Sequence, residues 1–470
     1  MGKRIVLWLC LMLAVACCAQ AEVLHASPDE LSLTQALASC IDGDVIELAD
    51  GVYAEPSEAF PLVIDRAVTL RAAPGASPVI DAPKFVAALR VEADGVTLSG
   101  LDIRMRRTGI YAIGDGLTLE RCAITLADPA WRTSSCGIWA GGVQRMTLRD
   151  CAFTGCSISL AGPPLSERSK GLPVLTGLFE VGEELAYFTT HTIEDCTVNG
   201  RPLFYAASQA HVDAPQDAGQ IICAGCESVT VRDADVSDGS MGMILAYVDE
   251  VTLERCRADR CGVFGIYVAK CGGGVITDCV AEETNHGIDV RATDNILLDG
   301  CRAERCDQGL FFSMVHDSVM RGCTVTQTGQ GYFMAVGSGN LLEDCAALGC
   351  ENGFNLQKED SVTMRGCLAQ ECTVCGVRLD ASPTVFTGNT LLDNWVGVLA
   401  YGPVSLRIEG NAFDGNASCG LYLRDIGTGR VADNVFTRCG ENAMQQVGDM
   451  AQTVFSGNRM EESDTQGPDM

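Results

Sequence analysis

The sequence predicts an all-β chain wound as a right-handed, single-stranded parallel β-helix, three strands to a turn of about 22 residues, capped at its N-terminal end by a short helix. Three features carry this: a repeat of nearly constant length, three alternating runs inside each repeat, and a column of glycines. The repeat is anchored at Cys256, Cys279, Cys301, Cys323, Cys345, Cys367, Asn389, Asn411, Asn434 and Asn458, in steps of 22 to 24 residues. Three residues before each anchor stands an apolar side chain, such as Leu253, Ile276, Leu298, Met320 or Phe386. Two residues after it comes Ala in the cysteine turns, except for Val325, and Leu391, Phe413 or Phe436 in the asparagine turns. A third run follows, with Leu310, Phe312, Tyr332, Met334, Phe354 and Leu356 facing inward. Period-two alternation is the strand signal, and no single turn can bury such a face alone. Stacking at about 4.8 Å closes the core.

The column Gly242, Gly287, Gly309, Gly331, Gly353 and Gly397 is expected at sharp bends, where a positive φ is cheap for glycine. Asparagine anchors suit a similar bend, and their amides can bond to the asparagines above and below. Earlier anchors at Ala73, Leu101, Cys122, Cys151, Cys196 and Ala234 have irregular gaps, which predict insertions at about 161–190 and 200–220. Long excursions from a regular scaffold are where function tends to sit.

At its start the chain carries Lys3-Arg4 and an apolar run from Ile5 to Ala16, a signal-peptide pattern too short to span a membrane well. Cleavage after Ala21 leaves one β-helix domain over 22–460 and a polar tail over 461–470. A rival site, Ala14-Val-Ala16-Cys17, resembles a bacterial lipobox; membrane attachment is expected only if Cys17 is lipidated. The predicted location is secreted, periplasmic or cell-surface, and the predicted state monomeric. Ser27-Pro-Asp-Glu30 followed by Leu31 to Cys40 reads as the capping helix.

Of the 25 cysteines, 22 lie beyond residue 21. Pairs five apart, such as Cys301/Cys306 and Cys345/Cys350, invite a disulfide reading. A strand leaving the anchor would carry the fifth residue roughly 16 Å away, which favours buried thiols packed as small hydrophobes. The formal charge of −28 makes nucleic acid and anionic membranes poor partners. Five histidines in the whole chain argue against copper handling. No calcium-type Asp cluster stands out, so neither metal nor cofactor is expected.

The opening Gly43-Asp-Val-Ile-Glu-Leu-Ala-Asp-Gly51-Val-Tyr53 resembles that of many secreted, pectate-lyase-like β-helix proteins, polysaccharide lyases among them. The segments Val198 to Tyr205 and Asp217 to Val231 are similar to a stretch of NosD-like and archaeal surface β-helix proteins. That resemblance implies carbohydrate binding or sugar hydrolysis, and for NosD itself copper delivery to nitrous oxide reductase. The motifs of particular enzyme families are not matched. The Arg-Ile-Lys of polygalacturonase-type hydrolases is replaced by Arg407-Ile-Glu409, and the Asp-Pro-His-Asp of alginate epimerases is absent.

Outward positions of the third strand are expected to form one row: Tyr111, Trp139, Ser159, Ile244, Tyr267, Asp289, Phe311, Phe333, Asn355, Arg378, Leu399 and Tyr422. A parallel row holds Arg291, Ser313, Gln357, Asp380, Tyr401 and Arg424. Aromatic faces stack on sugar rings while amides and charges take hydroxyls, so Trp139, Tyr267, Phe311, Phe333, Asn355, Tyr401 and Tyr422 are the candidate glycan contacts. The same rings equally suit packing against one another under a loop. Asp289, Arg291 and His286 form the densest polar cluster and are the candidate catalytic group, Arg291 neutralising a uronate while Asp289 or His286 moves a proton. The predicted function is binding of a polysaccharide or surface glycan along this face. A lyase, epimerase or glycoside hydrolase on the same face, and a structural or adhesion protein, are the alternatives.

Overall fold

In the computed structural model of the chain, residues 21–162, 184–402, 405–440 and 443–461 are described. The expected signal peptide, most of the first insertion and nearly all of the polar tail lie outside them. Strands dominate, wound as a parallel solenoid of about 19 turns. The turn from Ile296 shows the plan: strands Ile296–Asp299, Arg302–Glu304 and Gln308–Ser313 meet at three corners, where Gly300 (φ 65°), Arg305 (φ 51°) and Met314 (φ 55°) take the left-handed conformation. Residues 22 apart pair in register, Leu310 with Tyr332 and Tyr332 with Phe354.

The bends fall elsewhere than expected. The corner residue is the one before the anchor, often glycine or aspartate (Gly322, Asp344, Gly366, Asp433), and neither the asparagine anchors nor the glycine column has a positive φ. The column is needed for space: a Cβ on Gly331 would stand 2.3 Å from the Gly353 carbonyl oxygen, and one on Gly309 2.5 Å from that of Gly331. Backbone there rests directly on backbone.

The anchors form two kinds of ladder. Asn389, Asn411 and Asn434 each pass an amide hydrogen to the side-chain oxygen of the next anchor, ending at Asn458, at 2.9–3.1 Å, and that same oxygen accepts the preceding anchor's backbone N–H. The 22 described cysteines are free and buried. Pairs five apart occupy successive corners, so Cys306 meets Thr284 of the turn below (3.1 Å) and Cys350 meets Thr328 (3.2 Å). Burial pushes the Cys261 and Cys271 thiols up to about 12.

The capping helix α1 (Leu33–Ser39) starts at a Ser32/Gln35 capping box and buries Leu33, Ala36 and Leu37. Glu58 accepts its Leu33 and Thr34 N–H groups at 2.8 and 2.7 Å, satisfying donors that no intrahelical carbonyl can reach.

The coil reverses once. After strand Thr197–Val198 the chain turns at Asn199 (φ 52°) and Gly200 (φ 75°), and Val198 pairs antiparallel with Arg201. The stretch 200–220, expected as an insertion, holds strands Arg201–Ala207 and His211–Asp213 and forms a shortened first turn of a second arm. The arms lie side by side and run in opposite directions: the Ser157 hydroxyl donates to the Met241 carbonyl, Gln220 exchanges hydrogen bonds with the backbone of Ile158, and the Ser134 N–H donates to Gly262. Each arm has its own apolar interior, and the third-strand faces of both press together between them.

Two outcomes are expected. Gly331→Ala should destabilise by about 1–3 kcal/mol because its methyl meets backbone, whereas Gly322→Asn, at a left-handed corner with open space around it, should cost far less; chemical denaturation of both variants checks this. The chain from Glu22 onward should show almost no thiol reactive to an aromatic disulfide reagent when native, and 22 when unfolded. Stacked anchors hold their Cβ atoms about 4.8 Å apart, beyond the roughly 3.8 Å mean of disulfides.

Candidate functional site

The reversal divides the expected row in two. Tyr111, Trp139 and Ser159 are neighbours on the first arm's third sheet, and Ile244, Tyr267, Asp289, Phe311, Phe333, Asn355, Arg378, Leu399 and Tyr422 form an unbroken ladder on the second arm. The two ladders lie on the faces that meet in the seam. Trp139 and Tyr267, 5% and 0% exposed, are buried in it and do not stand on an open shelf.

Beyond the seam comes the polar cluster. Asp289 is fully buried; Arg291 donates to its two oxygens through Nε (2.7 Å) and Nη2 (2.8 Å), and His286 Nδ1 lies 2.9 Å from Oδ2. Burial raises the Asp289 pKa, but the Arg291 guanidinium and the His286 contact outweigh it and hold the carboxyl below its usual range. Aromatic rings surround the pair: the guanidinium carbon is 4.8 Å from the Phe311 ring centre and 5.7 Å from that of Phe264. The structure thus brings together all three candidate catalytic residues, with both carboxylate oxygens engaged within the group.

Phe311 and Phe333 follow as a parallel stack, 4.7 Å between centres. Asn355 is buried, donating to Gln330 (2.8 Å) and accepting from Gln357 (3.2 Å). The last turns are the most open. Arg378, Asp380, Tyr401, Gly402, Arg424 and Asp425 line a cleft of about 460 Å³, with the Tyr401 and Tyr422 rings 5.9 Å apart at 55°. Arg378 lies 5.9 Å from the Tyr401 centre, and its Nε is buried without an acceptor. Burial pushes the Tyr401 hydroxyl pKa up, partly offset by Arg378.

At the opposite end of strand Val396–Tyr401, roughly 20 Å along an extended chain from the cleft, stands a residue that the row pattern missed. Trp395, 57% exposed, and Val374 occupy a corner column that elsewhere holds Asp307, Gly329 and Glu351, next to the strand starts Val396 and Cys375. Tryptophan in a column of corner residues was the available signal. Among the described residues, no three or more His, Cys, Asp or Glu side chains are grouped to hold a metal ion.

The architecture is that of a parallel β-solenoid with a partly open polar and aromatic face. The chain belongs to the right-handed β-helix family: the family described as "right handed beta helix region" matches overlapping stretches 87–282, 174–313, 219–350, 270–411 and 337–460. Among solved structures it is similar to the A-module of the Azotobacter vinelandii mannuronan C-5 epimerase (13% identity, 89% of this chain and 91% of that one, TM-score 0.28). It is also similar to a PL6 family alginate lyase (11%, 93% and 100%, 0.28) and to pectate lyase Pel9A (12%, 96% and 81%, 0.24). No curated protein sequence matches it.

Removing Arg291 leaves a buried carboxylate without its main partner, so Arg291→Met should cost about 3–5 kcal/mol. The depressed Asp289 pKa stabilises the fold above the unfolded-state carboxylate range, and that stability is lost as pH falls through the folded pKa. Asp289→Asn should therefore flatten the acid limb of the stability profile, measured by denaturant unfolding between pH 7 and 3.

Proposed function

We propose that this exported protein binds a polysaccharide or cell-surface glycan along the third-strand face of its second arm, from the Phe311–Phe333 stack to the open cleft at Tyr401. The cleft carries this reading: half-buried Tyr401 and Tyr422 stand beside two guanidiniums and two carboxylates. Aromatic faces take the apolar side of a sugar ring, and Arg378, Asp380, Arg424 and Asp425 take its hydroxyls.

Binding is favoured over catalysis by the state of Asp289. A general base needs a carboxylate oxygen within reach of substrate, and both of its oxygens are engaged by Arg291 and His286 in a fully buried site. The cluster reads as a support that orients the Phe311 end of the face.

The test is retention on a panel of immobilised neutral and uronate-containing glycans, with unsaturated products and reducing ends followed in parallel. Retention without products is expected, with Tyr401→Ala or Tyr422→Ala weakening it on the order of tenfold. Products abolished by Asp289→Asn would establish an enzyme instead. No retention on any glycan would leave a structural or adhesive role.

A further inference from the structure

A second cleft lies where the two arms join. It measures about 550 Å³, within the range of small-molecule sites. The first arm supplies Thr154, Gly155 and the short 3-10 turn Pro129–Trp131 with Arg132 after it; the second arm supplies Asp235, Ser237 and Asp238; the reversal hairpin supplies Asn199 and Arg201. Hydrogen bonds across the junction make it a built surface. Arg132 Nη1 donates to Asp238 Oδ1 (2.9 Å), and Asn199 accepts from the Gly155 N–H (2.8 Å) while donating to the Asp238 carbonyl (3.0 Å).

Arginine–carboxylate pairing there departs from the pattern found along much of the coil. Elsewhere an arginine typically meets a carboxylate one turn away, as Arg255 meets Asp233, Arg365 meets Glu343 and Arg438 meets Asp414. At the junction, Asp238 is already held by Arg260 through two bonds of 2.8 Å, and with Arg132 it serves two guanidiniums. The Arg260 hydrogen bonds, with Coulombic help from Arg132 and Arg201, outweigh burial and keep its pKa low. Arg201 has no carboxylate within ion-pair distance among the described residues; it donates to the Asp235 carbonyl. Arg132 Nε is buried with no acceptor. The buried Arg132 Nε is costly without a partner, and half-exposed Arg201 keeps guanidinium N–H groups that an anion in the cleft can take. Next to Arg201, Asp235 Oδ1 accepts from the Ser237 N–H (3.1 Å) and hydroxyl (2.5 Å), and its second oxygen has no hydrogen-bond donor among the described residues.

We propose that this junction cleft binds a small hydroxylated oxyanion, a carboxylate or phosphate carried on a sugar or polyol skeleton. Arg132 and Arg201 hold the oxyanion, and Asp235, beside Arg201, accepts from the ligand's hydroxyls. Because residues of both arms and of the hairpin line it, occupancy ties the two arms together. The site is separate from the face on the second arm and stands independently of it.

Calorimetric titration of the chain from Glu22 onward with glucose 6-phosphate, glucuronate and glucose tests it. Expected are binding of at least one anion, affinity falling as salt rises, and glucose at least tenfold weaker. Arg201→Ala should weaken anion binding tenfold or more, and Arg201→Lys, which keeps the charge but not the fork, by an intermediate factor; Tyr401→Ala should leave it unchanged. Melting temperatures of the variants show that they fold. Failure of both anions to bind, binding of glucose as tight as theirs, or anion affinity unaltered in both Arg201 variants would overturn the proposal.

Discussion

Each turn of both arms rests on the backbone of the turn before it, and along the glycine column that contact leaves no room for a Cβ. Gly109 lies against the Gly137 carbonyl, Gly309 against that of Gly331, and Gly397 against that of Gly420. This close stacking sets the axial spacing on which the ladders depend. Asparagine side chains reach the next anchor only because it stands one strand spacing away, and the Phe413–Phe436 and Tyr332–Phe354 rings stack at 4.6 and 4.4 Å for the same reason. The interior is a set of columns, each chosen for how it fits its own kind.

The reversal at Asn199–Gly200 turns this one-dimensional scaffold into something with an inside. A straight coil would expose its whole third-strand face. Folding back covers part of that face in each arm, buries Trp139 and Tyr267, and leaves the later turns from Phe311 to Tyr422 more open. The Asp289–Arg291 pair sits just past the covered turns, where aromatic rings shield it and each partner satisfies the other. A buried pair of this kind contributes specificity of arrangement more than net stability.

Much of this was legible in the residues themselves. The register from Cys256 to Asn458, the inward apolar positions, the asparagine ladder and the second-arm row from Ile244 to Tyr422 all follow from period and alternation, because every turn has neighbours of its own kind. The glycine column was visible too, but its cause was not: Gly331 looks the same in a list whether it is needed for a bend or for a close approach. Trp395 fell outside the row because it occupies a corner column whose other members are mostly polar or glycine.

The sequence by itself determined the coil, its pitch and its columns, since these rest on contacts between equivalent residues one repeat apart and repeat spacing records them directly. Only the tertiary structure decided which part of the outward face is open, that Asp289 is engaged on both oxygens, and that Arg132, Arg201, Asp235 and Asp238 share a cleft. Those facts depend on a two-residue hairpin that brings Ser157 to Met241 and Arg132 to Asp238, contacts between turns of different arms for which no repeat period leaves a trace.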